Sequence, residues 1–317
     1  MTRIAMPFAL LTTTLALALP AQATGLTRTF VSSAGNDSNP CTITQPCATF
    51  AHAYTLTAAD GIIAALDPGK YGPLTITAAI TINGYGWAAI TAPAAGDGII
   101  INAGATDQVT LTGLEIDGAG AGYNGIHFNS GRSLTVTNCV LQNFKNAGDF
   151  TTGNGIFMAP TSGTVDFTIT DTTALNNGYA GVSYLPSSGS ANAKAVVAHV
   201  VATANQFGIS FSTALAPIGT LLVSISNSIA SNNQAGIEIN SSAAATIDNV
   251  NVIGNSTVGI NANGTVNLLL GRSVLSGNAI GIQNSTSPNT FFSYQNNQID
   301  LNTVDISGTA LNTKVLR

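Results

Sequence analysis

The chain has 317 residues, 45% of them hydrophobic and only 7% charged, with 9 Lys+Arg against 14 Asp+Glu. A charged share far below the ~25% of an ordinary soluble domain excludes a nucleic-acid binder, which needs a basic face, and a coiled coil or helical array, which would be rich in Ala, Glu, Lys and Leu. The apolar share excludes a disordered chain and leaves a β-rich protein whose outer faces carry Thr, Ser and Asn in place of charge.

Residues 1–23 read as a secretory signal: Arg3, an apolar stretch over 5–19, Pro20, and the small-residue site Ala21-Gln22-Ala23. The rival reading, a membrane anchor, needs ~20 apolar residues, and this stretch is shorter and carries Thr12, Thr13 and Thr14. Cleavage leaves eight basic against 14 acidic residues, a net charge of −6. The expected location is therefore extracytoplasmic, secreted or periplasmic. Export permits disulfides. Cys41 and Cys47 bracket the short loop CTITQPC and are candidates to pair, while Cys139 reads as a buried small residue. Metal binding by the three is not supported, because no paired CxxC or nearby His accompanies them.

In the segment 49–60, Phe50, Ala53 and Tyr54 fall at helical spacing, which predicts a short helix capping the first coil of a repeat. Beyond it, Gly followed by a β-branched residue recurs at Gly98, Gly125, Gly155, Gly181, Gly208, Gly236, Gly259 and Gly281, with spacings of 27, 30, 26, 27, 28, 23 and 22 residues. A period near 26 fits a coil of two or three short strands. Alternation places Ile99, Ile126, Ile156, Val182, Ile209 and Ile237 inward, with Ile101, Phe128, Met158, Tyr184, Phe211 and Ile239 beside them. Ile100, His127, Phe157, Ser183, Ser210 and Glu238 then point outward. A second strand precedes each Gly, as in Val109-Thr-Leu111, Leu134-Thr-Val136, Phe167-Thr-Ile169 and Val223-Ser-Ile225.

Two polar columns follow that strand. One holds Asn138, Asp171, His199, Asn227 and Asn249; the other holds Asn143, Asn177, Asn205, Asn233, Asn255 and Asn278. Stacked amides can hydrogen-bond from coil to coil, and Asn tolerates the left-handed backbone of a corner. The predicted fold is all-β: a parallel β-helix solenoid of about ten coils, roughly 45–50 Å long at ~4.8 Å per coil. Its parts are a cap over 24–60, coils over 61–292, and a C-terminal coil and tail over 293–317 that closes the far end.

The run Phe30-Val31-Ser32, Gly35-Asn36-Asp37, Asn39-Pro40, Thr42, Pro46, Thr49-Phe50 and Ala53 resembles the N-terminal signature of exported right-handed parallel β-helix proteins of the pectate-lyase-like superfold. Ile62-Ile63, Leu66, Pro68-Gly69, Tyr71-Gly72, Leu74, Ile76, Ile80, Ile82 and Gly84 are similar to their first coils. The resemblance spans residues 24–317, and the Cys41/Cys47 variant is similar to a bacterial subgroup without assigned activity. It implies a right-handed, single-stranded β-helix. It implies no activity, since many members cut or rearrange acidic polysaccharides and others are adhesins or tail spikes. The polygalacturonase set, the pectate-lyase Asp-His strand with its Arg base motif, and the pectin-esterase motif are all missing from this sequence.

The densest ionisable region is 115–149, with Glu115, Asp117, His127, Arg132, Lys145 and Asp149. Glu115 and Asp117 alternate with Ile116 and share one outward face; Lys145 and Asp149 lie in an enlarged loop over 144–154. Paired carboxyls serve glycoside hydrolysis, and a Lys or Arg base with a charge-neutralising group serves elimination from a uronate. The competing reading is that a low-charge rod needs a few solvated charges. Glu238 reads as solvated, His199 as a hydrogen-bonding corner, His52 as surface, and Tyr123, Phe157 and Tyr294 as packing. Asp67-Pro-Gly-Lys-Tyr reads as a turn.

The favoured expectation is an exported, non-catalytic rod that binds or organises extracellular polysaccharide or the cell surface. The alternative is a polysaccharide lyase or glycoside hydrolase using 115–149. Partners are a polysaccharide or cell-surface glycan, with no nucleic acid and no membrane span after signal cleavage. No cofactor is expected, calcium entering only under the lyase alternative, and the oligomeric state is left open.

Overall fold

The computed structural model describes residues 25–186, 191–215, 219–286 and 290–315; the expected signal segment lies outside them. The described chain is a parallel β-solenoid. A typical coil contains the long strand Thr164–Thr170, the short strand Thr173–Leu175 and a third strand, Ala180–Tyr184. The next coil repeats these as Asn192–Ala198, Val201–Thr203 and Phe207–Ser212. Long and short strands belong to a 20-stranded sheet that turns a corner, and the third strands form a ten-stranded sheet. Each strand pairs in parallel with its counterparts one coil away, as in Phe167↔Ala195 and Val182↔Ile209. Ten strands at ~4.8 Å make a rod of about 43 Å.

The predicted inward columns fill one continuous core from Val31 to Phe291. Its centre is aromatic: Phe128 meets Phe167 edge-on at 5.1 Å, Phe167 meets Tyr184 at 5.9 Å, and Tyr184 stacks on Phe211 at 6.1 Å. The Tyr184 hydroxyl is buried there without a hydrogen-bond partner, and burial pushes its pKa up to about 12. A buried, unpaired hydroxyl costs stability. Tyr184→Phe is therefore expected to stabilise the protein by about 1 kcal/mol, read as a rise in the urea midpoint; a fall would show that the hydroxyl is satisfied.

The two polar columns divide the work expected of each. Asn138, Asp171, His199, Asn227 and Asn249 all have positive φ, between 49° and 54°. They make the first corner of each coil, where Asn and Asp tolerate a left-handed backbone best. The second corner uses two adjacent positions. Its positive-φ residues are Asn143, Asn176, Ala204 and Asn232. The residue after each of the last three, and after the positive-φ Gly254 and Gly277 of the following coils, enters a buried amide ladder: Asn177, Asn205, Asn233, Asn255 and Asn278, each at most 6% exposed, continued by Asn302. The sequence reading placed Asn143 on this ladder. The structure moves it one position back, and Phe144 holds the rung.

In the ladder, the Asn233 Oδ1 accepts from the backbone N–H and the Nδ2 of Asn205, at 2.9 and 3.1 Å. Its Nδ2 donates to the Ala202 carbonyl and to the Asn255 Oδ1, both at 3.1 Å. Every donor and acceptor of the amide is thus used inside the rod. Cys139 lies not in a strand but one position after the first-corner residue Asn138, beside Thr172; it is a free, buried thiol.

At the N-terminal end, Leu26–Val31 pairs with Thr57–Ala65 as the first rung. The helix Phe50–Leu56 is capped by the Thr49 side chain, which accepts from the His52 N–H, and it buries Phe50 and Ala53. It ends at Leu56, because Thr57 already enters the strand that pairs with the first rung. Cys41 and Cys47 form a disulfide. The segment over 293–315 continues the coils. Val304–Gly308 adds the tenth strand to the ten-stranded sheet, and Asn312–Thr313 pairs with Phe292–Ser293.

Candidate functional site

Glu115 and Asp117 end the strand Gln108–Asp117 and face outward on the short-strand side of the rod. In the next coil Gln142 pairs with Asp117, and its Nε2 donates to Glu115 Oε1 at 3.2 Å and to Asp117 Oδ2 at 3.5 Å. Asp117 Oδ1 also accepts from the Ala119 N–H and from Asn143 Nδ2, at 2.7 and 3.1 Å. Asn143 in turn accepts from Asn176 Nδ2 at 2.7 Å. The result is a row of carboxylates and amides running along the rod.

This row borders a shallow cleft of about 510 Å³ at the second corner, lined by Asn143, Lys145, Asn146 and Asn176. Lys145 is exposed there and has no carboxylate within ion-pair distance among the described residues. Asp149 is spent on its own loop. Its carboxylate accepts from the Thr151 N–H and Oγ1 at 2.8 and 2.6 Å, and these bonds hold its pKa below the usual value.

His127 does not join this group. It belongs to the strand Asn124–Ser130 of the ten-stranded sheet, whereas Glu115 and Asp117 lie in the other sheet. Its Nδ1 lies 2.7 Å from Asp97 Oδ2, and its ring packs on Phe157 at 5.0 Å. The single cluster read from residues 115–149 is therefore two places: Glu115, Asp117 and the Lys145 cleft on one side, and Asp97 with His127 on the other. Arg132 pairs with Asp166 at 2.8 Å.

Four positions of one outward column are more enclosed than alternation predicts. Phe157, Ser183 and Ser210 point away from the core, yet they are at most 4% exposed. Glu238, expected to be solvated, is half-buried. Ser210 Oγ donates to its Oε2 at 2.8 Å. Tyr179, which packs on Phe207 at 5.2 Å, has its pKa pushed up to about 12 by burial and by the Glu238 charge. Burial raises the Glu238 pKa against the hydrogen bonds from Ser210 and Asn261. A carboxyl whose folded pKa is raised adds stability that is complete below its unfolded pKa and lost as pH rises through the folded one. Stability is thus expected to decline from about pH 4.5 upward, and Glu238→Gln to flatten that decline in urea titrations at several pH values. An unchanged slope would assign the decline to other groups.

The sequence reading missed Tyr85 and Trp87. They are 51% and 44% exposed, with ring centroids 5.8 Å apart. They sit one coil before Glu115, since Ala89 is its strand partner. The signal was present: in Gly84-Tyr-Gly-Trp87, two large aromatics stand where a small polar corner is the rule. Asp97 was also missed, although it occupies the position before Gly98 that Asn124 and Asn154 hold before their glycines. Asn124 Nδ2 donates to it at 2.9 Å.

The one group of three His, Cys or acidic residues within common reach among the described residues is Cys41, Cys47 and His52. Both sulfurs are consumed by the disulfide. No helix among the described residues is long and apolar enough to cross a membrane.

No protein-family model and no curated protein matches the sequence. Among solved structures, the chain is similar to the pectate lyase Pel9A, at 13% identity and a TM-score of 0.45, over 91% of this chain and 77% of that one. It is similar also to the A-module of the mannuronan C-5 epimerase AlgE6 from Azotobacter vinelandii, at 13% identity and a TM-score of 0.46, over 91% and 87%. The parallel β-helix architecture rests on the strand pairing within this chain.

Proposed function

We propose that this protein is an exported, non-catalytic β-helix that binds or organises extracellular polysaccharide or the cell surface. The observation that carries the reading is the exposed Tyr85–Trp87 pair one coil from the row Glu115, Gln142, Asp117, Asn143 and Asn176. Aromatic faces stack on the apolar faces of sugar rings, and carboxylates and amides meet their hydroxyls. The polar groups of Asp117 and Asp149 are already engaged in local hydrogen bonds, which suits a fixed binding surface better than proton transfer.

The test is retention of the mature protein in gels containing one polysaccharide each, across acidic and neutral glycans. At least one glycan is expected to retard it, and Trp87→Ala and Glu115→Gln each to weaken that retardation about tenfold with the melting temperature unchanged. Loss of no retardation in either variant, or no retention across the panel, overturns the assignment.

A second reading, a polysaccharide lyase or hydrolase, is favoured by the unpaired Lys145 beside the Asp117–Asn143 row. It requires unsaturated products or new reducing ends, with or without calcium, that disappear in Lys145→Ala or Asp117→Asn. Turnover of that kind would replace the binding reading.

A further inference from the structure

On the long-strand side of the rod, one outward column changes character along its length. It runs Thr81, Thr110, Thr135 and Thr168, then Val196, Ser224, Thr246, Leu269 and Phe292. The neighbouring column runs Asp166, Lys194, Leu222, Ala244 and Asn267. Outward positions of a solvated strand are polar, and after Ile62 the four coils from Thr81 to Thr168 obey this. The later coils keep hydroxyls at Ser224 and Thr246 but set large apolar groups around them, at Val196, Leu222, Leu269 and Phe292: Val196 is 46% and Leu222 49% exposed. These residues floor a groove of about 480 Å³.

The groove has an orientation and a charge pattern. From Val196 to Phe292 it crosses four coil steps, about 19 Å along the rod axis. Lys194 stands at one end. At the other, Lys314 Nζ lies 5.1 Å from the centre of the Phe292 ring, so its stem extends the apolar wall. Neither lysine pairs with a carboxylate among the described residues. In a chain of net charge −5, two cations beside an apolar floor form a local exception, complementary to an anion that carries a long apolar body.

We propose that this groove binds a long-chain amphiphile with an anionic head, a free fatty-acid-like carboxylate. Its chain lies along Val196, Leu222, Leu269 and Phe292, and its head meets Lys194. A glycan would want hydroxyl and amide partners along its length, which this floor supplies only at Ser224, Thr246 and Asn267. The site is separate from the Tyr85–Trp87 side and does not depend on glycan binding.

The experiment is calorimetric titration of the mature protein with octanoate, decanoate and dodecanoate at monomeric concentrations, with dodecanol as the uncharged control. One site per chain is expected, tightening two- to fourfold for each added methylene. Val196→Thr with Leu222→Thr, which restores the pattern of the first coils, is expected to weaken dodecanoate at least tenfold while the melting temperature holds. Lys194→Ala is expected to weaken dodecanoate about tenfold and leave dodecanol unchanged. Affinity independent of chain length, or indifferent to the threonine variant, overturns the proposal. So does uptake seen only on anionic vesicles, which would make the face a membrane contact. Self-association in sedimentation that is lost in the threonine variant would make it an interface between copies, and also overturns it.

Discussion

Asn233→Ala is expected to destabilise the protein by about 4 kcal/mol, near the upper end for a single substitution. The truncation creates little cavity, so its cost comes from what is stranded. The Asn205 N–H and Nδ2 lose their acceptor, and the Ala202 carbonyl and the Asn255 Oδ1 each lose a donor. Each buried polar group left unpaired costs ~1–3 kcal/mol, and relaxation of the neighbouring coils keeps the total below the sum. Because each coil contacts mainly its neighbours, the damage falls on the middle of the rod and divides the ladder. The matched control is Asn176→Ala at the exposed position one residue before the ladder, where only the ~1–2 kcal/mol of a left-handed alanine is expected. Urea denaturation of both variants checks this, and similar costs at the two sites would remove the ladder's special role.

Gly208→Ala is the second large effect, about 3 kcal/mol, at the top of the range for overpacking. A Cβ at Gly208 would lie 2.5 Å from the Gly236 carbonyl oxygen and 2.9 Å from Asn233 Nδ2. The first contact is with backbone fixed by the sheet, which cannot give way as a side-chain tip can. The same approach recurs from coil to coil: Gly125 meets the Gly155 carbonyl, Gly155 that of Gly181, and Gly236 that of Gly259. The recurring Gly-Ile signature therefore records a steric demand. By contrast, Gly163 has positive φ but nothing within 4 Å, so Gly163→Ala should cost only the ~1–2 kcal/mol of a left-handed alanine. A melting-temperature loss for Gly208→Ala no larger than for Gly163→Ala would reject the contact argument.

These two sites show why the architecture was legible. Side chains alternate along a strand, so Ile99, Ile126 and Ile156 and their partners two residues on had to share one face, and the core contains them. The glycine spacing gave the coil length, since each coil must bring one glycine over the next. Phe50, Ala53 and Tyr54 at helical spacing similarly announced the short helix, whose buried side holds Phe50 and Ala53. The one-residue displacement of Asn143 from the amide ladder was not legible: Asn suits both the left-handed position and the rung after it, and composition does not separate them.

The functional surface depended on something the linear pattern does not carry. Alternation says whether a residue points in or out, but a coil has three sides, and the corner angles decide which side a residue faces. Glu115 and His127 are 12 residues apart and both point outward, yet a corner puts them in different sheets. Tyr85 and Trp87 gain their significance only from the pairing of Ala89 with Glu115 one coil on. Glu238 looks solvated until Ser210 and Asn261, from the adjacent coils, close on its carboxylate. The sequence by itself determined the repeat, the core columns and the parallel β-helix, because burial of alternate residues is a local constraint met in every coil. The tertiary structure decided which polar and aromatic residues share a side, because that follows from left-handed corners summed around each turn and from contacts between residues some 22 to 30 positions apart.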